Sequence, residues 1–413
     1  MVLNNKLSLS IIITFLCFKL NAQTTKSILF LGNSYTYYNN VPAMVSNMAS
    51  STGDQLIYDS NTPGGFRFLN HASSTTTINK INSAPWDFVA LQGQSQETSL
   101  TESQMSVEVY PYVSQLVFNI RNNDSCTQPL FFMTWGRKNG DTPNCPIRPW
   151  VCTYEDMDDV IKQTYIKLAK DNHSQISSVG AVWRFLRTNY PSIELYAPDG
   201  SHPSLAGSYV VACAFYTSIF KKDPTLVSYN AALDSTTANM IKLAVKQIIY
   251  DMADDWDFTA YFNYTINDNS VDFNYPLSVD YINWDFGDGT TSNLLNPNHS
   301  YSTTGSYNVT LTITSCGKTI QYTQPIDLTT LTLDPLNEQN ISIYPNPSTK
   351  FIKIKGFDNE LKEVAIKDIT GKTLLIKKMM ADHSIDISLF MSGTYLLEIK
   401  YKNQKFYKKI IKL

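Results

Sequence analysis

Lys26-Ser-Ile-Leu-Phe-Leu-Gly-Asn-Ser-Tyr-Thr36 is the stretch on which the fold of this chain turns. Ile28 to Leu31 is a short apolar run of strand length. It stops at Gly32-Asn33, and beyond Ser34 the residues Val41, Met44, Val45 and Met48 recur at helical spacing. Strand, glycine-containing turn and helix put the Ser34 hydroxyl at the carboxyl end of a strand, near helix N–H groups that favour negative charge. In an open parallel α/β sheet that edge is where ligands bind. Taken alone, Ser34 equally suits a turn or a helix cap.

A chain of 413 residues exceeds one ordinary core, so two or three domains are expected. The net charge of −3 carries no overall basic bias toward nucleic acid. Lys6, the apolar Leu7 to Phe18 and Leu20-Asn21-Ala22 read as a signal peptide over residues 1–22, too short for a membrane anchor and without the small residues that would mark Cys17 for lipidation. The mature chain is therefore expected to be exported, with no transmembrane anchor and with disulfides permitted. Five cysteines remain after the leader, so at least one is unpaired within the chain. Cys145 and Cys152 flank a short Pro-rich loop and form the expected pair, while Cys213 lies on the apolar face of a helix and reads as a buried thiol. No Cys-x-x-Cys or His-rich spacing suggests a metal site, and no cofactor is expected.

Over residues 23–256 apolar strands alternate with helical patterns. The strands are expected at Ser27–Leu31, Gln55–Tyr58, Phe88–Leu91, Leu130–Thr134 and Ile176–Val179. Helices are expected over 41–51, 66–81, 101–121, 154–171, 181–188, 204–220 and 235–254, with Pro111 dividing the third. Such alternation implies an α/β domain with a five-stranded parallel sheet and helices on both faces. From 257 to 337 there is one lysine and no arginine, and short alternating strands (Ser278–Asp285, Tyr307–Thr314, Thr319–Ile326) are separated by turn signals, the pattern of a small all-β sandwich. Residues 338–413 form a lysine-rich, strand-like third unit, with hairpins marked by Asp368-Ile-Thr-Gly-Lys372 and Met391-Ser-Gly-Thr394.

Acyl transfer by a serine needs a base, a group that orients it and donors for the oxyanion. His299 and His383 belong to the β units, His173 follows the polar end of a helix and is expected to be solvated, and His71 lies inside a helix where packing or exposure is expected. His202 remains, in Ala197-Pro-Asp-Gly-Ser-His-Pro-Ser204, with Asp199 three residues before it in a loop leading into an amphipathic helix. A single turn brings such residues together, although Asp199-Gly200 also suits an ordinary surface turn.

Gly32-Asn33-Ser34 and Asp199-Gly200-Ser201-His202, in that order at opposite ends of the α/β region, resemble the first and last motifs of the SGNH/GDSL hydrolases. The resemblance covers roughly Lys26 to Phe220. It implies a flavodoxin-like three-layer fold, Ser34 as nucleophile, His202 as base and Asp199 as its orienter. It also implies that Gly64 or Gly65 of Thr62-Pro-Gly-Gly65 supplies an oxyanion N–H. The third motif departs from the family pattern: where an Asn amide is usual, this chain has Leu91-Gln-Gly-Gln-Ser-Gln96, so Gln94 by register or Gln92 would donate instead. That resembles a divergent Gly-Asn-Ser-Tyr-Thr subgroup. Ser95 is a rival nucleophile, because Gly93-Gln-Ser95-Gln-Glu97 nearly reads as a Gly-x-Ser-x-Gly elbow. Trp135 and Arg137, after the fourth strand, could line a substrate pocket, the alternative being that Trp135 packs in the core and Arg137 is a solvated charge; the long stretch to Tyr154 reads as a functional or capping insertion.

Asn283-Trp-Asp-Phe-Gly-Asp-Gly-Thr290, with Asn296-Pro-Asn-His-Ser-Tyr301, resembles a PKD domain, which implies an immunoglobulin-like spacer or binding module. Asp285 and Asp288 there read as hairpin-turn carboxylates rather than calcium ligands. Ile343-Tyr-Pro-Asn-Pro-Ser348 and Gly393-Thr-Tyr395 resemble the type IX secretion sorting domain, which implies engagement of that machinery and release or attachment at the outer cell surface. The whole suggests a surface-delivered serine esterase that removes O-acetyl groups from carbohydrate. Alternatives are a short-chain acyl esterase or lipase, and a non-catalytic glycan-binding or adhesion protein that keeps the fold.

Overall fold

The computed structural model describes residues 23–267, 269–328, 342–355, 363–368, 373–378, 384–388, 390, 392–401 and 404–412. The expected leader, the 337/338 boundary and the Thr370-Gly371 turn lie outside them. The chain divides into two compact units, residues 1–300 with 307–326, and residues 301–306 with 327–413.

The first unit contains a parallel sheet of β1 (Thr25–Leu31), β2 (Gln55–Asn61), β3 (Phe88–Leu91), β4 (Gln128–Phe132) and β5 (Gln175–Ser177), in the order β2-β1-β3-β4-β5. Both faces are covered at the centre of the sheet, so β1, β3 and β4 send alternate side chains to different cores. Ile28 and Phe30, Phe88 and Ala90, and Leu130 and Phe132 point to one core, whereas Leu29 and Leu31, Val89 and Leu91, and Phe131 and Met133 point to the other. The first core is closed by α2 (Val41–Ser51), which follows the one-turn α1 (Ser34–Tyr37), and by α8 (Val179–Asn189), α9 (Leu205–Phe220) and α10 (Ser235–Val245). The second is closed by α3 (Phe68–Ala72), α4 (Thr75–Ile81), α5 (Glu102–Glu108), α6 (Tyr110–Asn123) and α7 (Tyr154–Asp171). α9 is buried along nearly its whole length, Cys213 included, which is why its sequence shows little amphipathic contrast.

Two expected helices are broken. The 66–81 pattern becomes α3 and α4, because Ser74 leaves the helix and caps Thr77 N with its hydroxyl. The 101–121 pattern breaks at Val109, with Pro111 in the first turn of α6, where a missing N–H costs nothing.

The same unit continues with antiparallel strands β6 (Asn263–Asn267), β7 (Ser270–Asn274), β8 (Tyr281–Asp285), β9 (Thr291–Ser292), β10 (Asn298–Ser300), β11 (Ser306–Ser315) and β12 (Lys318–Asp327), in sheets β10-β7-β6 and β12-β11-β8-β9. Cys126, just before β4, is disulfide-bonded to Cys316 between β11 and β12. Lys318 Nζ lies 5.8 Å from the ring centroid of Phe88, the first residue of β3. His173, just before β5, meets Tyr275 edge-on at 5.3 Å. These contacts fix the β-rich region against the amino-terminal edge of the parallel sheet. They also correct the expectation for His173, which is 4% exposed rather than solvated.

In the second unit β13 (Ser342–Tyr344), β14 (Phe351–Lys355) and β17 (Ser384–Asp386) form one sheet, in the order β13-β14-β17. A second sheet has β15 (Glu363–Lys367), β16 (Thr373–Lys378), β18 (Gly393–Tyr401) and β19 (Gln404–Lys412), in the order β16-β15-β18-β19. Ile352, Ile354, Val364, Ile366, Ile385, Leu397, Ile399 and Ile410 fill its core.

Candidate active site

The β1 strand ends at Gly32, where the chain is too crowded for a side chain: a Cβ would sit 2.5 Å from Thr36 Oγ1 and 2.6 Å from Gln92 Oε1. Asn33 caps α1, its Oδ1 accepting from Tyr35 N at 3.1 Å. Ser34 is therefore the first residue of a one-turn helix, and its own N–H has no partner among the described residues. Asn39 (φ 51°) and Asn40 (φ 54°) follow in the left-handed region, which Asn tolerates better than most residues. This double turn carries Tyr38 onto His202, their rings stacked at 4.4 Å. The Asn39 amide donates to Ser204 O at 3.2 Å and Ser208 Oγ at 2.9 Å, tying the serine loop to the start of α9.

The Asp199 loop closes on itself. Gly200 N donates to Ala197 O at 2.9 Å and Ala197 N to His202 O at 2.8 Å, with Gly200 at φ +67°. Within it the Asp199 carboxylate accepts from Ser201 N at 2.9 Å, His202 N at 3.0 Å and His202 Nδ1 at 2.5 Å. On the other side of the ring, His202 Nε2 lies 2.8 Å from Ser34 Oγ. With the Nδ1 proton on the carboxylate side, Nε2 is left to accept the hydroxyl proton. Partial burial pushes the Asp199 carboxyl up, but the imidazole and the two amides outweigh it and hold it below the usual carboxylate range.

The remaining expected residues divide. Gln92 is not an oxyanion donor: its Nε2 donates to Asn33 Oδ1 at 2.9 Å and Gly93 O at 2.5 Å, and its Oε1 accepts from Asn33 N and Thr36 Oγ1, both at 3.0 Å. Every hydrogen-bonding position of that buried amide is taken, so it fastens the serine turn from behind. Gln94 is half-buried and gives one amide hydrogen to Ser95 Oγ at 3.1 Å, which leaves the second. Gly64 and Gly65 are exposed, in a loop joined to the serine turn by the bond from Asn33 Nδ2 to Phe66 O at 2.9 Å.

Ser95 is 5% exposed and receives Arg137 Nη2 at 3.2 Å as well as Gln94, so it is a bridge between loops. Arg137 also meets the buried Asp141 carboxylate at 3.2 Å. Trp135 does not line a pocket, since it is fully buried. It lies between Tyr35 at 4.6 Å and Trp183 at 3.8 Å, both stacked, and its Nε1 donates to Ser201 O at 3.1 Å. This column supports the serine and histidine loops from below. Cys145 and Cys152 are disulfide-bonded.

The sequence left His71 between packing and exposure, and the structure packs it against the end of β1. Its ring is 1% exposed, with Nε2 2.9 Å from Gly32 O and Nδ1 3.0 Å from Thr77 Oγ1. Burial drives its pKa down to about 4, so it serves as a neutral donor that holds the end of β1. Its place in a short helix just after the Gly64-Gly65 loop was the available signal.

Comparison with known proteins locates the β-rich regions. Residues 268–330 match the PKD domain family, and residues 342–413 match the secretion system C-terminal sorting domain. A tail of this kind directs export through type IX secretion and attachment at the cell surface. Among the described residues no helix is long and apolar enough to cross a membrane.

Among solved structures, the chain is similar to a DUF4886 family protein from Bacteroides uniformis, at 17% identity over 55% of this chain and 95% of that one, with a TM-score of 0.47. A candidate SGNH hydrolase from Slackia heliotrinireducens is similar at 25% identity over 47% and 98%, with a TM-score of 0.39. The PKD1 domain of the Vibrio cholerae metalloprotease PrtV is similar at 33% identity over 16% and 90%, with a TM-score of 0.15. No curated protein matches the chain.

Proposed function

We propose that the chain is a surface-delivered serine ester hydrolase of the SGNH type, acting on O-acetylated carbohydrate. The observation that carries this reading is the line Ser34 Oγ, His202 Nε2, His202 Nδ1, Asp199 Oδ2, with separations of 2.8 Å and 2.5 Å across loops 168 residues apart. Ser34 Oγ attacks the ester carbonyl as His202 Nε2 takes its proton, and Asp199 holds the ring in the tautomer that accepts it. The oxyanion is received by Ser34 N, by the N–H of Gly64 or Gly65 and by the remaining amide hydrogen of Gln94. The alcohol leaves with the proton from His202, and water releases the acyl group by the same route. Carbohydrate as substrate rests on the sorting tail and the PKD module, which suit work on surface polymers, rather than on the chemistry of the site.

The whole chain, including Cys316, is assayed on p-nitrophenyl acetate and on acetylated xylan. Ser34→Ala and His202→Ala are each expected to lower kcat by about 10³-fold or more while the protein stays folded. Because Gln92 is fully engaged behind the serine turn, the donor set is thinner than the family pattern implies, and this favours one second reading, a glycan-binding protein that has lost turnover. Retention on acetylated glycan with no hydrolysis would select it.

A further inference from the structure

Glu97 plays no part in the chemistry above, yet its side chain is completely buried where the loops around the site meet. Its carboxylate accepts from Phe68 N, the first amide of α3, at 3.1 Å and 3.2 Å through its two oxygens, and from Gln94 N at 3.0 Å. Gln94 O in turn accepts from Glu97 N at 2.9 Å, so Gln94 sits in a turn closed at both ends by one residue. Arg67 Nε lies 3.4 Å away, and the same guanidinium is shared with Glu108 at 2.9 Å. The fit leaves no slack, because a Cβ on Gly93 would come 2.7 Å from the Phe68 ring and 3.2 Å from Glu97 Oε2.

Three connections meet here. Phe68 directly follows the Gly64-Gly65-Phe66-Arg67 loop. α3, whose first amide Glu97 holds, carries His71, which donates to Gly32 O beside the nucleophile. Gln94 brings the side-chain amide of the third loop. We infer that Glu97 is a positioning residue whose buried carboxylate sets the spacing between the glycine loop, the Gln94 amide and the serine turn, and so aligns the oxyanion donors. This rests on the hydrolase reading above. A lone structural ion pair would need only Arg67, whereas this carboxylate takes two backbone amides from two different loops.

Burial pushes the Glu97 pKa up to about 7, so a neutral amide of the same shape is tolerated there, and Glu97→Gln is expected to fold. It cannot reproduce the clasp, because one acceptor oxygen becomes an NH2 facing an N–H. Kinetics on p-nitrophenyl acetate are measured with the whole chain, per titrated active site, together with the affinity for a phenylboronic acid, which forms a tetrahedral adduct on a reactive serine. Glu97→Gln is expected to lower kcat by roughly tenfold to a hundredfold, no more than outright removal of a donor, with KM unchanged and boronate affinity falling in parallel. In a Gln94→Ala background its effect is expected to shrink, because one of the donors that Glu97 aligns is already gone. If wild type turns over and Glu97→Gln matches it in kcat and boronate affinity, or if the two substitutions multiply fully, the inference is overturned alone. If wild type neither turns over nor binds the boronate, the hydrolase reading falls and the inference falls with it.

Discussion

At the scale of single residues, what decides a role here is whether a side chain's bonding capacity is already spent. Gln92 and Gln94 are two positions apart and chemically identical, and no sequence pattern distinguishes a saturated amide from one with a hydrogen to spare. The same holds for Trp135, whose loop position suggested a pocket lining but whose indole is packed between two rings. Ser34, His202 and Asp199, which lie within hydrogen-bonding distance in that order, were singled out by loop position and by elimination among five histidines. His71 makes a test with a definite sign. Its pKa is drawn by burial from 6.5 to about 4 in the folded chain, so between these values the unfolded chain binds more protons. The stability it contributes is present above about 6.5 and is lost as the pH falls toward 4, by about 3 kcal/mol if the displacement is complete. Glu97, raised from 4.5 to about 7, works in the opposite direction, and so the comparison must isolate His71. The urea midpoint of wild type is expected to fall relative to that of His71→Asn as the pH is lowered from 7 to 4, and a difference between the two that does not change with pH would refute it.

At the scale of elements, the central strands β1, β3 and β4 followed from short apolar runs because the middle of a sheet covered on both faces needs apolar residues in succession. Helix limits were less legible, since capping by Ser74 and the break at Val109 depend on local hydrogen bonds that hydrophobic spacing does not register. The loops above the sheet are held by cross-links between elements. The Tyr35-Trp135-Trp183 column joins α1, the loop after β4 and α8, and the Trp135 Nε1 bond to Ser201 O adds the histidine loop. Trp135→Phe keeps an aromatic ring but leaves a space and an unpaired carbonyl. It is expected to cost about 2–4 kcal/mol of stability in denaturant unfolding and to lower kcat more than it raises KM. A variant with wild-type kcat would show that the column does not position the histidine loop.

At the scale of the molecule, the alternation of strands and helices separated the α/β region from the β-rich regions, and the sorting and PKD signatures were plain in the chain. The Cys126–Cys316 bridge was not, because its partners lie 190 residues apart in regions that read as separate units. The bridge lies at the amino edge of the parallel sheet, whereas Ser34 follows the carboxyl edge, so stability and catalysis are expected to separate. Cys126→Ser with Cys316→Ser is expected to lower the unfolding free energy by up to about 5 kcal/mol, from the entropy of so long a closed loop. Its kcat at a temperature well below Tm is expected to equal that of wild type. A large loss of activity in the folded double variant would mean that the PKD region supports the site across the sheet.

The central claim is that Ser34 is a nucleophile activated by His202. Its most direct test is intact-protein and peptide mass spectrometry of the whole chain after exposure to a fluorophosphonate, in wild type and in His202→Ala. A single adduct on Ser34 in wild type, strongly reduced in His202→Ala, is the predicted result. An adduct on Ser95, or a folded wild-type chain that takes up no label, would contradict it.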